Sequence, residues 1–165
     1  MLKAALAGFP TRPALYLSLA VLVFGFGYHF LTTYQSCRGH AVLRETLWRA
    51  VDSAASENDP LRLAKVTGFP WDRAEILVNY KPGGRPGDCP FQWDWSREER
   101  EALIAADGLT VIVFVRNGKL VDYLEIRRDR VEFVAVRNPY TPETAIFRVT
   151  PSAENRGQFL LTPSL

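Results

Sequence analysis

The sequence predicts an α+β protein, with an N-terminal transmembrane helix and a stalk helix ahead of an antiparallel sheet of about five or six strands. Three observations support this class. From Pro13 to Ser36 no side chain is charged. Apolar residues then recur at helical spacing from Leu43 to Ala54. Short apolar runs separated by turn residues follow. We expect one or two helices to cover one face of the sheet, because packed layers bury their apolar sides against each other.

The charge-free stretch has the length of a membrane span. A helix crossing a hydrocarbon core of roughly 30 Å needs about 20 mainly apolar residues, which Ala14 to Tyr34 supplies. Tyr16, Tyr28 and Tyr34 suit the two interfaces. We therefore divide the chain into four parts: a cytoplasmic tail (1–12), a transmembrane helix (13–36), an amphipathic stalk helix (37–58) and a periplasmic α+β domain (59–165).

Two other interpretations of the apolar segment stay open. Lys3 and Arg12 would suit the charged start of a cleaved signal, but the apolar run is long and no A-x-A-like site follows it. Cys37 would suit a lipid attachment, but Tyr34 stands where the usual motif has an aliphatic residue. A retained anchor is the favoured interpretation.

The two cysteines favour an exported domain. Positive charges flanking the span are nearly balanced, so they do not decide its orientation. Cys37 and Cys89 form a lone even pair, which favours one disulfide in an oxidising compartment such as the periplasm. Such a bridge would stabilise the domain by about 3–4 kcal/mol. Two unrelated thiols are the alternative, and the spacing matches no zinc motif.

The charge balance argues against nucleic acid as a partner. All 18 acidic residues lie after Ser36, together with the basic residues other than Lys3 and Arg12, so this part of the chain has no net charge. A nucleic-acid binder needs excess cations to displace condensed counterions.

The elements of the domain follow from local signals. Asp59 and Pro60 would start a short helix ending near Gly68. Ser96 and Glu99 form a capping box for a helix that reaches about Ala106. The predicted strands are Ala74–Tyr80, Leu109–Val115, Val131–Val136, Thr144–Val149 and Gln158–Leu161, with a further strand after the Asn117-Gly118 turn.

The Asn117-Gly118 turn predicts a two-residue type I′ hairpin. In that register Val115 pairs with Leu120, Val113 with Asp122, and Val111 with Leu124. The run from Leu109 to Val115 is almost continuously apolar, which is typical of a central strand buried on both faces.

Candidate catalytic groups are few. The two histidines are His29, inside the span, and His40, beside it, which argues against a hydrolytic triad in the sheet domain. Asp88, Asp94 and Asp122 are the least conventional carboxylates, but nothing in the sequence shows two of them in one cleft. We therefore expect no enzyme activity, no cofactor and no metal.

Two groups of residues are candidates for binding. Trp93 and Trp95 would form an aromatic platform for peptide or sugar, although core packing of one ring is the commoner outcome. Basic residues gather on the hairpin and its continuation, as a docking face or as a neutralised polar rim. They are Arg116, Arg127, Arg128, Arg130 and Arg137. The glycine-rich segment 82–87 lacks the ending of a phosphate loop.

Five segments carry a resemblance to a family: Phe69 to Arg73, Asp107 to Val115, Gly118 to Val121, Glu125 with Arg127, and Asn138 to Thr141. Together they resemble a loose group of small bacterial envelope proteins with a signal or anchor ahead of one α+β domain. The resemblance covers roughly residues 69–149 and implies an accessory or immunity-like factor that binds another protein, with no catalytic residue.

The leading hypothesis is therefore a non-enzymatic single-pass inner-membrane protein whose periplasmic domain binds an envelope protein, as an immunity or accessory factor. A second hypothesis is a structural subunit of a membrane complex, assembled through its stalk helix and a span that carries Gly25 and Gly27. A third is a carbohydrate or peptide binder that uses Trp93 and Trp95.

Overall fold

The structure, a computed structural model, describes residues 12–78, 80, 89 and 93–164. It divides into two compact units at Ser36 and Cys37, which are described separately below. The first eleven residues of the predicted tail, the predicted strand position 79, the glycine-rich loop, Asp88 and Phe91 lie outside the described residues.

A single helix, α1, runs from Arg12 to Glu57 and contributes to both units. Its first part is long and apolar enough to cross a membrane, and the most apolar stretch is not buried by any other part of the protein. Leu17 and Phe24, for example, are 69% and 78% exposed. The described residues therefore contain one N-terminal candidate membrane helix, as the charge-free stretch predicts.

The described residues of the second unit form the end of α1, two further helices and seven strands. Helix α2 spans Leu63–Val66 and helix α3 spans Arg97–Ala105. The strands are β1 (Leu61–Arg62), β2 (Arg73–Val78), β3 (Leu109–Arg116), β4 (Lys119–Arg127), β5 (Val131–Phe133), β6 (Ile146–Pro151) and β7 (Phe159–Pro163).

The strands form two sheets, so the α+β class is confirmed while the prediction of a single antiparallel sheet is wrong. One sheet has the order β2-β3-β4, and the other has the order β1-β6-β7-β5. In the second sheet β5 pairs parallel to β7, with Val131 opposite Phe159. Apolar runs mark strands but do not identify their partners, because pairing at long sequence separation depends on how the layers close over one core.

The hairpin between β3 and β4 forms at the predicted turn, with positive φ at both Asn117 and Gly118. The pairing of Val115 with Leu120 is confirmed, but the register shifts between Phe114 and Val115. Val121 is the extra residue, and a β-bulge of this kind moves every later pair by one position. Val113 therefore faces Tyr123 rather than Asp122, and Val111 faces Glu125 rather than Leu124.

Local helix signals are confirmed at one site and wrong at another. Ser96 and Glu99 form the predicted capping box at the start of α3, and Asp107 follows its end with a φ of 50°. Asp59 and Pro60 do not start a helix. Strand β1 follows them, because Leu61 pairs with Phe147 and the helix begins only at Leu63.

One hydrophobic core joins the end of α1 to both sheets. Leu47 and Val51 of α1 pack in the same cluster as Ile112 and Phe114 of β3 and Phe147 of β6. Strand β3 lies between β2 and β4 and is buried along most of its length, as its apolar run predicts. The apolar stripe of the predicted stalk thus packs on its own domain.

Candidate functional site

The disulfide between Cys37 and Cys89 is present, with 5.8 Å between the two Cα atoms. Cys37 lies on α1 and is 4% exposed, whereas Cys89 is half-buried. The bridge closes a separation of 52 residues in the sequence. It therefore ties the chain that leads into α3 to the first turn of α1 within the second unit.

Beside this bridge, α1 and the segment 93–99 enclose a groove of about 1200 Å³. We use "the groove" for the space lined by Arg38, Ala41, Val42, Arg44, Glu45, Trp48, Arg49, Cys89, Trp93, Asp94, Trp95, Ser96, Arg97, Glu98 and Glu99. Trp48 comes from α1, and Trp93 and Trp95 come from the irregular segment that precedes α3. Both predicted aromatic residues therefore line one groove.

A buried ion pair joins the two walls. Arg44 donates from Nη1 and Nη2 to the same oxygen, Oδ1 of Asp94, at 2.8 and 2.5 Å. Each side chain is 3% exposed. The Trp95 ring covers the guanidinium, with Cζ of Arg44 3.6 Å from the ring centroid. Burial lowers the pKa of Arg44, and the charge of Asp94 opposes that shift. The pair thus holds the segment 93–95 to α1 by charge and by ring contact.

The arrangement leaves buried polar atoms without partners. Within the described parts of the chain, Oδ2 of Asp94, Nε of Arg44 and Nε1 of Trp48 make no hydrogen bond. A buried polar atom left unsatisfied costs about 1–3 kcal/mol. Arg and carboxylate groups frequently pair through two parallel hydrogen bonds to both oxygens, so the use of one oxygen here is a deviation.

A second set of polar contacts lies between α1, α3 and β4. Arg100 donates to Oε2 of Glu125 from Nε at 2.9 Å, and the pair is 4% and 10% exposed. Nε2 of His40 lies 3.1 Å from Oδ1 of Asp122, and the His40 ring lies 4.4 Å from the ring of Tyr123. Glu125 and Asp122 each face a basic partner. Asp122, a candidate catalytic carboxylate from sequence, therefore has a structural partner in His40.

The pKa shifts in this set follow from burial and neighbours. Burial raises the pKa of Asp122, but the hydrogen bonds from His40 and the Tyr123 amide outweigh it, so the pKa lies below the ordinary carboxyl value. Burial, followed by the charge of Glu125, raises the pKa of the Tyr123 hydroxyl. At neutral pH Asp122 is therefore ionised and Tyr123 carries its proton.

The structure does not gather the predicted basic residues into one uncommitted face. Arg127 pairs with Asp129 at 2.6 Å, and Arg128 pairs with Glu132. Arg130 lies over the Trp48 ring, with its Cζ 4.2 Å from the centroid, and 3.5 Å from Asp52. Arg116 is exposed beside the hairpin turn, and Arg137 is exposed beyond β5. Three of these side chains are thus engaged within the chain.

Sequence analysis missed Arg44 and Trp48. Neither residue is among the sequence-predicted site residues. A signal was available, since Arg44 lies seven residues after Cys37 and seven before Val51, all three on the buried side of α1. A charged residue at such a position indicates a buried partner.

Comparison with known proteins finds no family model, curated protein or solved structure that matches the chain. The resemblance to small envelope proteins therefore stays a prediction. In the described residues no group of three or more His, Cys, Asp or Glu side chains could hold a metal ion. The groove is therefore identified as the candidate site from its geometry alone.

The Arg44–Asp94 pair yields a stability prediction. Arg44→Met leaves the Asp94 carboxylate buried without its cation, which should destabilise the domain by about 3–5 kcal/mol. Arg44→Met combined with Asp94→Leu removes both charges and should recover most of the loss. The measurement is thermal unfolding of the full chain in detergent, followed by circular dichroism.

Arg49→Met is the matched control, because Arg49 is exposed on the same helix and should change stability little. A loss below about 1 kcal/mol for Arg44→Met would mean that the pair behaves as an exposed one.

Proposed function

We propose that the protein is a non-enzymatic single-pass inner-membrane protein whose periplasmic domain binds a protein partner in the groove, as an immunity or accessory factor of the cell envelope. The observation that carries the proposal is the convergence of Trp48, Trp93 and Trp95 on one groove. Tryptophan is enriched in protein interfaces and carries a large share of binding energy there.

The dimensions of the groove support a peptide-like occupant. Its α1 wall extends from Arg38 to Arg49, which is about 16 Å along a helix. An extended chain rises about 3.3 Å per residue, so about five residues of a partner would match that length. The walls are joined by the Cys37–Cys89 bridge and the Arg44–Asp94 pair. Such a preformed groove loses little conformational entropy on binding.

The proposed location follows from two features together. The N-terminal part of α1 is long and apolar enough to span a membrane. The domain after it carries a disulfide, a bond that persists in oxidising compartments such as the periplasm and is rare in the cytosol. Both features support the proposal that the second unit lies on the periplasmic side of the inner membrane.

Thiol labelling in intact cells tests this location. Membrane-impermeant maleimide should label Cys37 and Cys89 only after reduction, and unreduced samples should yield one linked peptide that contains both residues. The measurement is peptide mass spectrometry. Free thiols that react only after lysis would place the domain in the cytoplasm and contradict the proposed side of the membrane.

Site-specific photocrosslinking tests the groove. A benzoylphenylalanine at Val42 or Glu98, both exposed and both lining the groove, should crosslink to one protein of defined mass in living cells. The same residue at Glu143, exposed and outside the groove lining, should not. The combined Trp93→Ala and Trp95→Ala variant should lose the adduct through loss of aromatic contact area.

The variant's melting temperature serves as the control for folding. An equal adduct from Glu143, or an adduct that survives in a folded double-tryptophan variant, would contradict partner binding in the groove.

A second candidate function, a subunit assembled through its span, is favoured by one face of α1. At 100° per residue, Ser18, Gly25, His29 and Thr32 fall on the same face, whereas Gly27 lies about 200° from Gly25. Small residues let transmembrane helices approach closely, and an ionisable residue within a span marks a functional contact. If the span has an interface, Gly25 rather than Gly27 belongs to it.

Replacing residues 13–36 by an unrelated leucine-rich span separates the two candidates. A groove-binding protein should keep its Val42 and Glu98 crosslinks after the exchange, because the groove belongs entirely to the second unit. A complex subunit should lose co-purification with its complex, and His29→Leu alone should weaken it. Unchanged co-purification after the exchange would exclude the span as an assembly surface.

A further inference from the structure

We propose that the groove recognises a neutral amide group of the partner, either a backbone peptide group or the side chain of Asn or Gln. This inference rests on the proposed function and deepens it by naming the chemistry of the occupant. It starts from the three buried polar atoms that the described chain leaves unpaired: Oδ2 of Asp94, Nε of Arg44 and Nε1 of Trp48.

These atoms define what an occupant must offer. Oδ2 of Asp94 is an acceptor, whereas Nε of Arg44 and Nε1 of Trp48 are donors. All three residues line the groove, and the side chains of Arg44 and Asp94 are each 3% exposed. A ligand that forms hydrogen bonds with all three atoms needs both an N–H or O–H group and an acceptor oxygen. A hydrogen bond from the ligand to each atom would remove the free-energy penalty of leaving that buried atom unpaired in the unliganded protein.

The charges select a neutral ligand. Arg44 and Asp94 neutralise each other, because both Nη atoms of Arg44 donate to Oδ1 of Asp94. A cation that approached Oδ2 would meet the Arg44 charge, and an anion that approached the two donors would meet the Asp94 charge. An amide carries a donor and an acceptor without net charge, so it matches the unpaired acceptor and donors of this neutral pair and Trp48.

The Trp95 ring lies over the guanidinium of Arg44, with Cζ 3.6 Å from the ring centroid. Trp95 belongs to a segment outside the helices and strands. A sugar hydroxyl is also neutral and bifunctional, but sugar binding uses free aromatic faces. One face of Trp95 is covered by Arg44 and one face of Trp48 by Arg130. The contacts therefore favour an amide over a sugar.

Nuclear magnetic resonance of the ¹⁵N-labelled full chain in lipid nanodiscs tests this with acetamide, acetate and maltotriose as probes. Acetamide should shift the indole N–H resonance of Trp48 in a saturable way, and acetate, of the same shape but charged, should bind at least several-fold more weakly. The indole of Trp71 is the internal reference, because it donates to Oγ1 of Thr67 at 2.9 Å and does not line the groove.

Trp48→Phe removes the unpaired donor and keeps an aromatic ring. It should weaken acetamide binding about fivefold, read from the Trp95 resonance, since a hydrogen bond contributes about 1 kcal/mol. Its melting temperature should fall, because Trp48 packs against the core and under Arg130, so acetamide binding is the readout that decides. Trp71→Phe is the matched control, which should lower the melting temperature and leave acetamide binding unchanged.

The outcomes separate this inference from the proposed function. Saturable binding of maltotriose instead of acetamide, equal binding of acetate, or no response of Trp48 to acetamide would each overturn the amide site. Crosslinks from Val42 and Glu98 would still support a protein partner in those cases. Acetamide binding without any crosslink would support the amide site and contradict the proposed partner.

Discussion

The structure depends on burial of one side of α1 beyond Cys37. Leu43, Leu47, Val51 and Ala54 pack into a cluster that also holds residues of both sheets. The two sheets have separate hydrogen-bond ladders, and the isolated bridge from Ala74 of β2 leads to Tyr140, which belongs to no strand of the other sheet. Apolar contact through α1 and the shared core, rather than strand pairing, therefore holds the layers of the domain together.

Burial also explains the composition of the groove. Arg44 lies on the buried side of α1 and cannot leave it without unpacking its neighbours Leu43 and Leu47. Its charge is therefore matched by Asp94 and covered by Trp95. Replacing a buried ion pair by apolar residues is often neutral or stabilising, so stability alone does not account for such a pair. A role in binding supplies a reason for polar atoms at this position.

Much of the fold followed from local sequence signals. The span, the capping box, the Asn117-Gly118 turn, the buried strand β3 and the disulfide all depend on residues close together or on a single cysteine pair. The second sheet did not follow, because the parallel pairing of β5 with β7 joins segments far apart in sequence. The bulge at Val121 depends on packing rather than on the turn. The sequence names Trp93 and Trp95 as candidates. Their convergence with Trp48 depends on how α1 packs against a segment distant in sequence, so it could not be predicted.

The position of β7 has a consequence for biosynthesis. Strand β7 comes last in sequence among the described strands, yet it lies inside its sheet, between β6 and β5. Strands β3 and β4 are joined by the Asn117-Gly118 turn and can pair while the ribosome is still adding residues. The other sheet cannot close until Phe159–Pro163 have emerged, which leaves β5 and β6 without their shared neighbour until then. The hairpin of β3 and β4 can therefore form before the four-stranded sheet, which closes only when β7 is available.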